Sequence, residues 1–290
     1  SLEVLFGQVM KLRAHGVSAH MYSGSYRVPA ATLTGDVARD LVMIEPVIGV
    51  GEIAIADHRS SQPEPQELRR LAAEVQLGGT LSGKGGTVFL HVGDGVDGLG
   101  LLERGLTGSD LARRLFYPTH CNRRPGLLED AVVHATRGGF IDFTVSTTPE
   151  LVEAGEVPAL DAHRAAIEAG APADRLSFSS DAGGSLPRYV DGRLAGLDVA
   201  QPHCLLELLR EASAGREAPP ADVLAALTRN PADGLSLQRK GRIETGADAD
   251  LLLIDPAGIK LTDVFCLGRR RLSEGRLTAP GHPAHDLKRS

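Results

Sequence analysis

The sequence predicts an α/β fold: a (β/α)8 TIM-type barrel over residues 1–234, with a small β-rich segment and tail over 235–290. Three observations carry this expectation. Short β-rich runs alternate with longer helical stretches, the pattern of a parallel sheet joined by crossover helices. The run at 47–55, VIGVGEIAI, is apolar almost throughout, as a parallel strand covered on both faces requires. Polar residues gather at or just beyond the ends of the runs: Tyr26, Glu52, Arg59, His91, His120, Arg123 and Asp181. A barrel brings such ends to one mouth, whereas an open doubly wound sheet spreads them along an edge.

Taken in order, residues 2–15 read as an amphipathic helix, with Leu2, Leu5, Phe6, Val9 and Leu12 at helical spacing. The opening Leu2-Glu3-Val4-Leu5-Phe6 also resembles a protease-cleavage linker, but Gly7-Gln8 reverses the order such a linker needs. The β-rich runs fall at 17–22, 47–55, 87–91, 115–120, 140–145 and 176–180. Helical patterns occupy 64–75, 126–136, 159–169 and 204–214. A barrel of this type has eight strands. With six runs present, the other two are expected before Ser1. After Gly234 the character changes. Short β candidates at 241–244, 250–254, 263–267 and 270–273 are separated by Gly, Pro and Asp turn residues. The polar tail at 279–290 is expected to be mobile.

A chain of 290 residues with 42% hydrophobic content can form one large domain, or a barrel with an appendage. Its 31 basic and 37 acidic side chains leave a net charge of -6, with no basic stripe for nucleic acid or membrane. No apolar run approaches the roughly 18 residues of a bilayer span. The start carries no signal-peptide pattern. Cys121, Cys204 and Cys266 form no CxxC pair and read as reduced thiols of a cytoplasmic protein.

His91 and His120 each end an apolar run. Two imidazoles with carboxylate oxygens suit zinc or a similar divalent ion. The plainer reading of a single such histidine is a hydrogen-bonded structural residue. Glu52 interrupts an apolar strand, where a carboxylate is costly to bury unless paired or metal-bound. The plainer reading there is a pair with a nearby Arg. Asp181 opens the turn Asp181-Ala182-Gly183-Gly184-Ser185, where an acid can bind a metal and relay a proton, or merely cap the turn. Arg59 and Arg123 near that mouth suit a substrate with free carboxylates. His58 has no clear metal role; His15, His20, His134, His163, His203, His282 and His285 read as surface or structural. Gly78-Gly79-Thr80-Leu81-Ser82-Gly83-Lys84 has phosphate-loop spacing, but Gly85 stands where Ser or Thr is needed and a strand, not a helix, follows. A nucleotide site is not expected.

Together these stretches resemble the amidohydrolase superfamily, and most closely its isoaspartyl dipeptidases. The likeness rests on Ser23-Gly24-Ser25-Tyr26-Arg27-Val28-Pro29, residues 47–59, Phe89-Leu90-His91-Val92-Gly93-Asp94, Pro118-Thr119-His120-Cys121-Asn122-Arg123, residues 179–185 and the Gly246–Leu253 region. The resemblance implies a barrel with two zinc ions bridged by a carboxylate and a hydroxide. It implies metal ligation by His91, His120 and Asp181, with Glu52 at the bridging position that many relatives fill with a carbamylated lysine. Tyr26 would polarise the scissile carbonyl, Asp181 would move protons, and Tyr26, Arg59, Arg123 and Ser185 would recognise the substrate. The family's His-x-His pair, its N-terminal β-segment and its amine-binding acid have no match here, so the N-terminal part is expected to be absent from this sequence. Two zinc ions per chain are expected if that part exists, and one or none otherwise. The implied activity is zinc-dependent hydrolysis of β-aspartyl dipeptides. The alternatives are a non-catalytic or single-metal truncated relative, or an amidohydrolase of another linear or cyclic amide. The implied partners are a small dipeptide and, by analogy, further copies of the chain in a homo-oligomer.

Overall fold

A computed structural model describes residues 1–190 and 193–278. The tail at 279–290 lies outside the described residues. The chain opens with α1 (Leu2–Ala14), β1 (Met21–Ser23), α2 (Val37–Met43), β2 (Val47–Ile55), α3 (Pro65–Ser82) and β3 (Val88–Val92). It continues through α4 (Gly100–Leu106), β4 (Phe116–Thr119), α5 (Pro125–Thr136), β5 (Ile141–Thr144), α6 (Pro149–Glu153), α7 (Ala159–Glu168) and β6 (Leu176–Ser179). Strands β1 to β4 pair in parallel and in sequence order, with Met21 opposite Val47, Val50 opposite Val88 and Val88 opposite Phe116. Strands β5 and β6 form a second parallel pair. The Cys121 N–H donates to the Asp142 carbonyl at 3.1 Å and links the two groups. Parallel neighbours need a crossover, and helices supply each one. The result is the strand-and-helix alternation of a β/α barrel, with the C-terminal strand ends pointing one way.

The apolar runs form the core. Val47, Val50, Ile53 and Ile55 of β2 are fully buried, as are Val88, Leu90 and Val92 of β3 and Phe116 of β4. Helix α3 begins with a capping box between Glu64 and Glu67, and buries Leu68, Leu71, Ala72 and Val75. It runs beyond the expected 64–75 because Gly78 lets α2 approach. A Cβ at Gly78 would sit 2.8 Å from the Cα and carbonyl oxygen of Ala38. The phosphate-loop spacing at 78–84 is therefore the end of a helix. Lys84 turns back from it and donates to the carbonyls of Leu41 at 2.6 Å, Ile44 at 2.9 Å and Val47 at 2.8 Å. It thereby joins the end of α2 to the first residue of β2.

Other expectations shift. The first strand is Met21–Ser23 rather than 17–22, because Gly16 ends α1 at φ 83 and the Val17 N–H still bonds to Leu12. A hairpin the sequence reading did not anticipate follows β6, formed by β7 (Ser185–Val190) and β8 (Arg193–Val199), with Ser185 opposite Val199. Next come α8 (Cys204–Ala212), α9 (Ala221–Leu227) and α10 (Arg229–Gly234). The β-rich end is an antiparallel meander of β9 (Leu251–Asp255), β10 (Lys260–Cys266), β11 (Arg269–Ser273) and β12 (Arg276–Leu277). Residues 241–244 are not a strand: Gly241 packs against the Thr228 carbonyl and Arg242 pairs with Asp233 on α10. Lys240 ties this end to the segment before β1, donating to Ser18 at 2.6 Å and Asp250 at 2.5 Å. No helix among the described residues is long and apolar enough to cross a membrane.

Candidate metal centre and active site

The strand ends converge. Glu52 lies within β2, His91 within β3, and His120 one residue past β4. Their ligand atoms all fall within 4.8 Å of one another. His91 Nδ1 is 3.1 Å from Glu52 Oε2 and 3.0 Å from His120 Nε2. Both imidazoles are buried, while the Glu52 side chain keeps 30% exposure toward the mouth.

Each histidine is held from behind. His91 Nε2 lies 3.1 Å from Asp57 Oδ2, and His120 Nδ1 lies 2.6 Å from the Thr144 hydroxyl. With a metal bound, Asp57 and Thr144 would accept protons from those outer nitrogens, leaving His91 Nδ1 and His120 Nε2 to face the ion beside the Glu52 carboxylate. Outer acceptors of this kind orient metal-binding imidazoles and raise their basicity. Burial, followed by the charges of Arg123 and His91, holds His120 well below the usual histidine range, in the neutral form a metal needs. The donor set of two imidazoles and a carboxylate fits zinc or a similar divalent ion.

One side of the mouth is cationic. Arg59 Nε and Nη2 donate to the two Asp57 oxygens at 2.9 and 2.8 Å, and Arg59 Nη2 lies 2.9 Å from His91 Nε2. Hydrogen bonds from Arg59 hold Asp57 far below the usual carboxylate range despite its burial. Arg123 Nη1 donates to the Val92 carbonyl at 3.0 Å and reaches within 3.8 Å of Asp57 Oδ2. Burial and then the Arg59 charge oppose its own charge, with Asp57 and Glu156 partly offsetting them. Tyr26 is placed by its carbonyl, which accepts from the Ala54 N–H at 3.1 Å. Its hydroxyl stands 3.2 Å from His91 Nδ1, and the Arg59 guanidinium lies 5.0 Å from its ring centroid. Burial, then the Glu52 charge, raise the Tyr26 pKa, so the phenol keeps its proton.

Asp181 follows β6 in the left-handed region, at φ 50. Burial, then Glu52, raise its pKa, and the charges of Arg123, His91 and Arg59 also act on it. It is not part of the close ligand group, which among the described residues is Glu52, His91 and His120. Gly184 leaves room for the acid: a Cβ there would sit 2.4 Å from Asp181 Oδ2. Ser185 opens β7 and is exposed, and no hydrogen bond among the described residues joins its side chain to this group.

Several residues escaped the sequence reading. Asp57 stands two positions past β2, and its signal was an Asp beside a functional Arg in a buried turn. Thr144 ends β5. Asp142, one layer deeper, is wholly buried and accepts from Thr119 at 2.6 Å, Ser177 at 2.6 Å and Ser179 at 2.5 Å. Burial pushes its pKa up to about 6, against the pull of those hydroxyls.

A barrel that gathers imidazoles and carboxylates at its strand ends, with arginines around them, has the architecture of a metal-dependent hydrolase. The sequence profile of the amidohydrolase family matches residues 124–272. The β-aspartyl dipeptidase of the thermophilic, keratin-degrading Fervidobacterium islandicum AW-1, solved in complex with β-Asp-Leu, is 39% identical, with a TM-score of 0.87 over 97% of this chain and 73% of that one. A second structure of the dipeptidase from that organism is 36% identical, with a TM-score of 0.85 over 97% and 71% of the two chains. A zinc-bound adenosine deaminase from Xanthomonas campestris, 15% identical with a TM-score of 0.56 over 97% of this chain and 66% of that one, shares the fold alone. The chain belongs to the amidohydrolase family, in its β-aspartyl dipeptidase branch.

Proposed function

We propose that this protein hydrolyses the isopeptide bond of β-aspartyl dipeptides with the help of bound zinc. The convergence of Glu52, His91 and His120 carries the reading. The relative solved with β-Asp-Leu supports the substrate class. A zinc ion held by these three side chains would supply a Lewis acid and a water activated for attack near neutral pH. Asp181 is the proton carrier: it takes a proton from the attacking water and delivers it to the leaving amine. Its raised pKa suits that exchange. The Tyr26 hydroxyl donates to the oxygen that gains charge as the carbonyl is attacked, a contact worth roughly 3–4 kcal/mol in favourable cases. Arg59 and Arg123 grip the substrate carboxylates, with Arg59 held in place by Asp57. Ser185 would complete recognition from the start of β7.

The same reading includes a second zinc with Asp181 as ligand when the His-x-His strand is present. It also includes a barrel over 1–234 with a β-rich segment from 235, a cytoplasmic location and a homo-oligomer. A single-ion, non-hydrolytic protein is the competing reading, favoured by the three-residue ligand group. Zinc content by elemental analysis, with hydrolysis of β-Asp-Leu followed by amine release, decides between them. Bound zinc with turnover is expected, and turnover should vanish on chelation and return with zinc. A folded, zinc-loaded protein that leaves a panel of β-aspartyl dipeptides intact would overturn the proposal.

A further inference from the structure

Between His120 and Arg123 lies a side chain with no direct view of substrate. Asn122 is fully buried, and its amide is saturated. Its Oδ1 accepts from the Thr144 N–H at 2.9 Å. Its Nδ2 donates to the Thr144 carbonyl at 3.1 Å and to the Val157 carbonyl at 2.9 Å. Its own carbonyl accepts from the Val157 N–H at 2.8 Å. One amide therefore clamps both peptide groups of Thr144, the residue whose hydroxyl meets His120 Nδ1. The same residue ties the loop before α7 to the turn that carries His120 and Arg123.

We infer that Asn122 is a positioning residue of the metal centre: by fixing Thr144 against His120 it sets the direction in which the His120 lone pair points. The inference rests on reading His120 as a metal ligand. His120 sits in the left-handed region at φ 61, which non-glycine residues seldom adopt. The strands alone do not orient it, because β4 ends at Thr119 and β5 at Thr144. Beyond the strand ends, the Asn122 amide joins the turn that carries His120 to Thr144, alongside the Cys121 N–H bond to the Asp142 carbonyl. An outer contact of this kind carries about 10- to 100-fold in metal affinity.

A purely packing role is the rival, and the molecule contains its control. Asn230 is also buried, and its Nδ2 donates to the carbonyls of Ala173 and Leu176 at 2.8 Å each, at the N-terminal end of β6. Asn122→Asp and Asn230→Asp each set a carboxylate against two carbonyls, at opposite ends of the barrel. Zinc affinity is measured by competition with a chromophoric chelator, and ligand geometry by the visible spectrum of the cobalt-substituted protein. Asn122→Asp is expected to weaken zinc binding tenfold or more and to alter the cobalt spectrum. Asn230→Asp is expected to lower the thermal midpoint while keeping both readouts at the wild-type value.

Should Asn122→Asp not fold, Thr144→Val removes the hydroxyl and leaves the clamp on the backbone intact. It is expected to weaken zinc binding to a similar extent. Unchanged affinity in a folded Asn122→Asp or in Thr144→Val, or an equal loss in Asn230→Asp, would overturn the inference. A wild-type protein that binds no zinc would instead remove the metal reading on which it rests.

Discussion

Asp57 and Arg59 form a closed unit: two guanidinium nitrogens reach both carboxylate oxygens, and the Arg59 N–H adds a third bond at 2.7 Å. The carboxylate that holds Arg59 also lies 3.1 Å from His91 Nε2, so one side chain bridges the arginine and an imidazole of the proposed metal site.

Asp57→Asn should therefore impair two functions. The amide no longer balances the Arg59 charge, and it accepts a proton from His91 Nε2 less strongly. Zinc affinity is expected to fall about 10- to 100-fold. KM for β-Asp-Leu should rise in the same variant at saturating zinc. Chelator competition and steady-state kinetics measure the two effects separately, and a change in neither would remove Asp57 from the site.

Asp181→Asn should separate binding from chemistry. Asp181 lies outside the close ligand group, so the variant should keep zinc at His91, His120 and Glu52. Turnover should drop by about 100- to 10,000-fold, the usual worth of a positioned proton carrier. In the wild type, kcat/KM should fall as the pH drops through the Asp181 pKa, which burial raises above 3.8. Full turnover in Asp181→Asn would assign the proton transfer to another group.

Acid stability should depend on Glu103. Its carboxylate pairs with Arg113 and faces buried His134, and these partners, His134 first and Arg113 second, pull it down to about 2. A carboxyl lowered in the fold stabilises it above its unfolded pKa, near 4.5. That contribution fades as the pH falls from there through about 2. Urea unfolding midpoints should decline over this window in the wild type and decline less in Glu103→Gln.

Lys84→Met should destabilise without touching activity. The variant keeps the apolar stem and loses three bonds, to the Leu41 and Ile44 carbonyls around the end of α2 and to the Val47 carbonyl that opens β2. A loss of about 2 kcal/mol is expected, the scale of a charged hydrogen bond. Urea denaturation at neutral pH reads it, with kcat and KM staying at the wild-type value.

What could be read from the letters alone follows from periodicity. The buried runs of β2, β3 and β4 declared themselves because parallel strands leave no polar alternation to confuse them. Glu52, His91 and His120 stood out because a polar residue inside or at the end of an apolar run needs a reason. Thr144 and Asn122 gave no such sign, and Asp57 gave only its place two residues before Arg59. They act through partners distant along the chain, and their residue types are common in turns. The β7–β8 hairpin hid for another reason. Its strands mix Pro187, charged residues and partly exposed apolar ones, though the Asp191-Gly192 pair between them is a strong hairpin signal. The overrun of α3 depends on how closely α2 can pack at Gly78, which only the assembled backbone reveals.

The hydroxyl cluster around Asp142 gives the barrel interior a polarity of its own. Tyr117 donates to Ser177 at 2.7 Å, and Ser177 donates onward to Asp142, so the hydrogens of this relay all aim at one oxygen-rich centre. That centre lies one layer beneath the histidines. Burial raises the Asp142 pKa to about 6, so a proton added there would turn one acceptor oxygen of this relay into a donor. A protonated-carboxyl infrared band growing in across that pH would report the change, and its absence in Asp142→Asn would assign it.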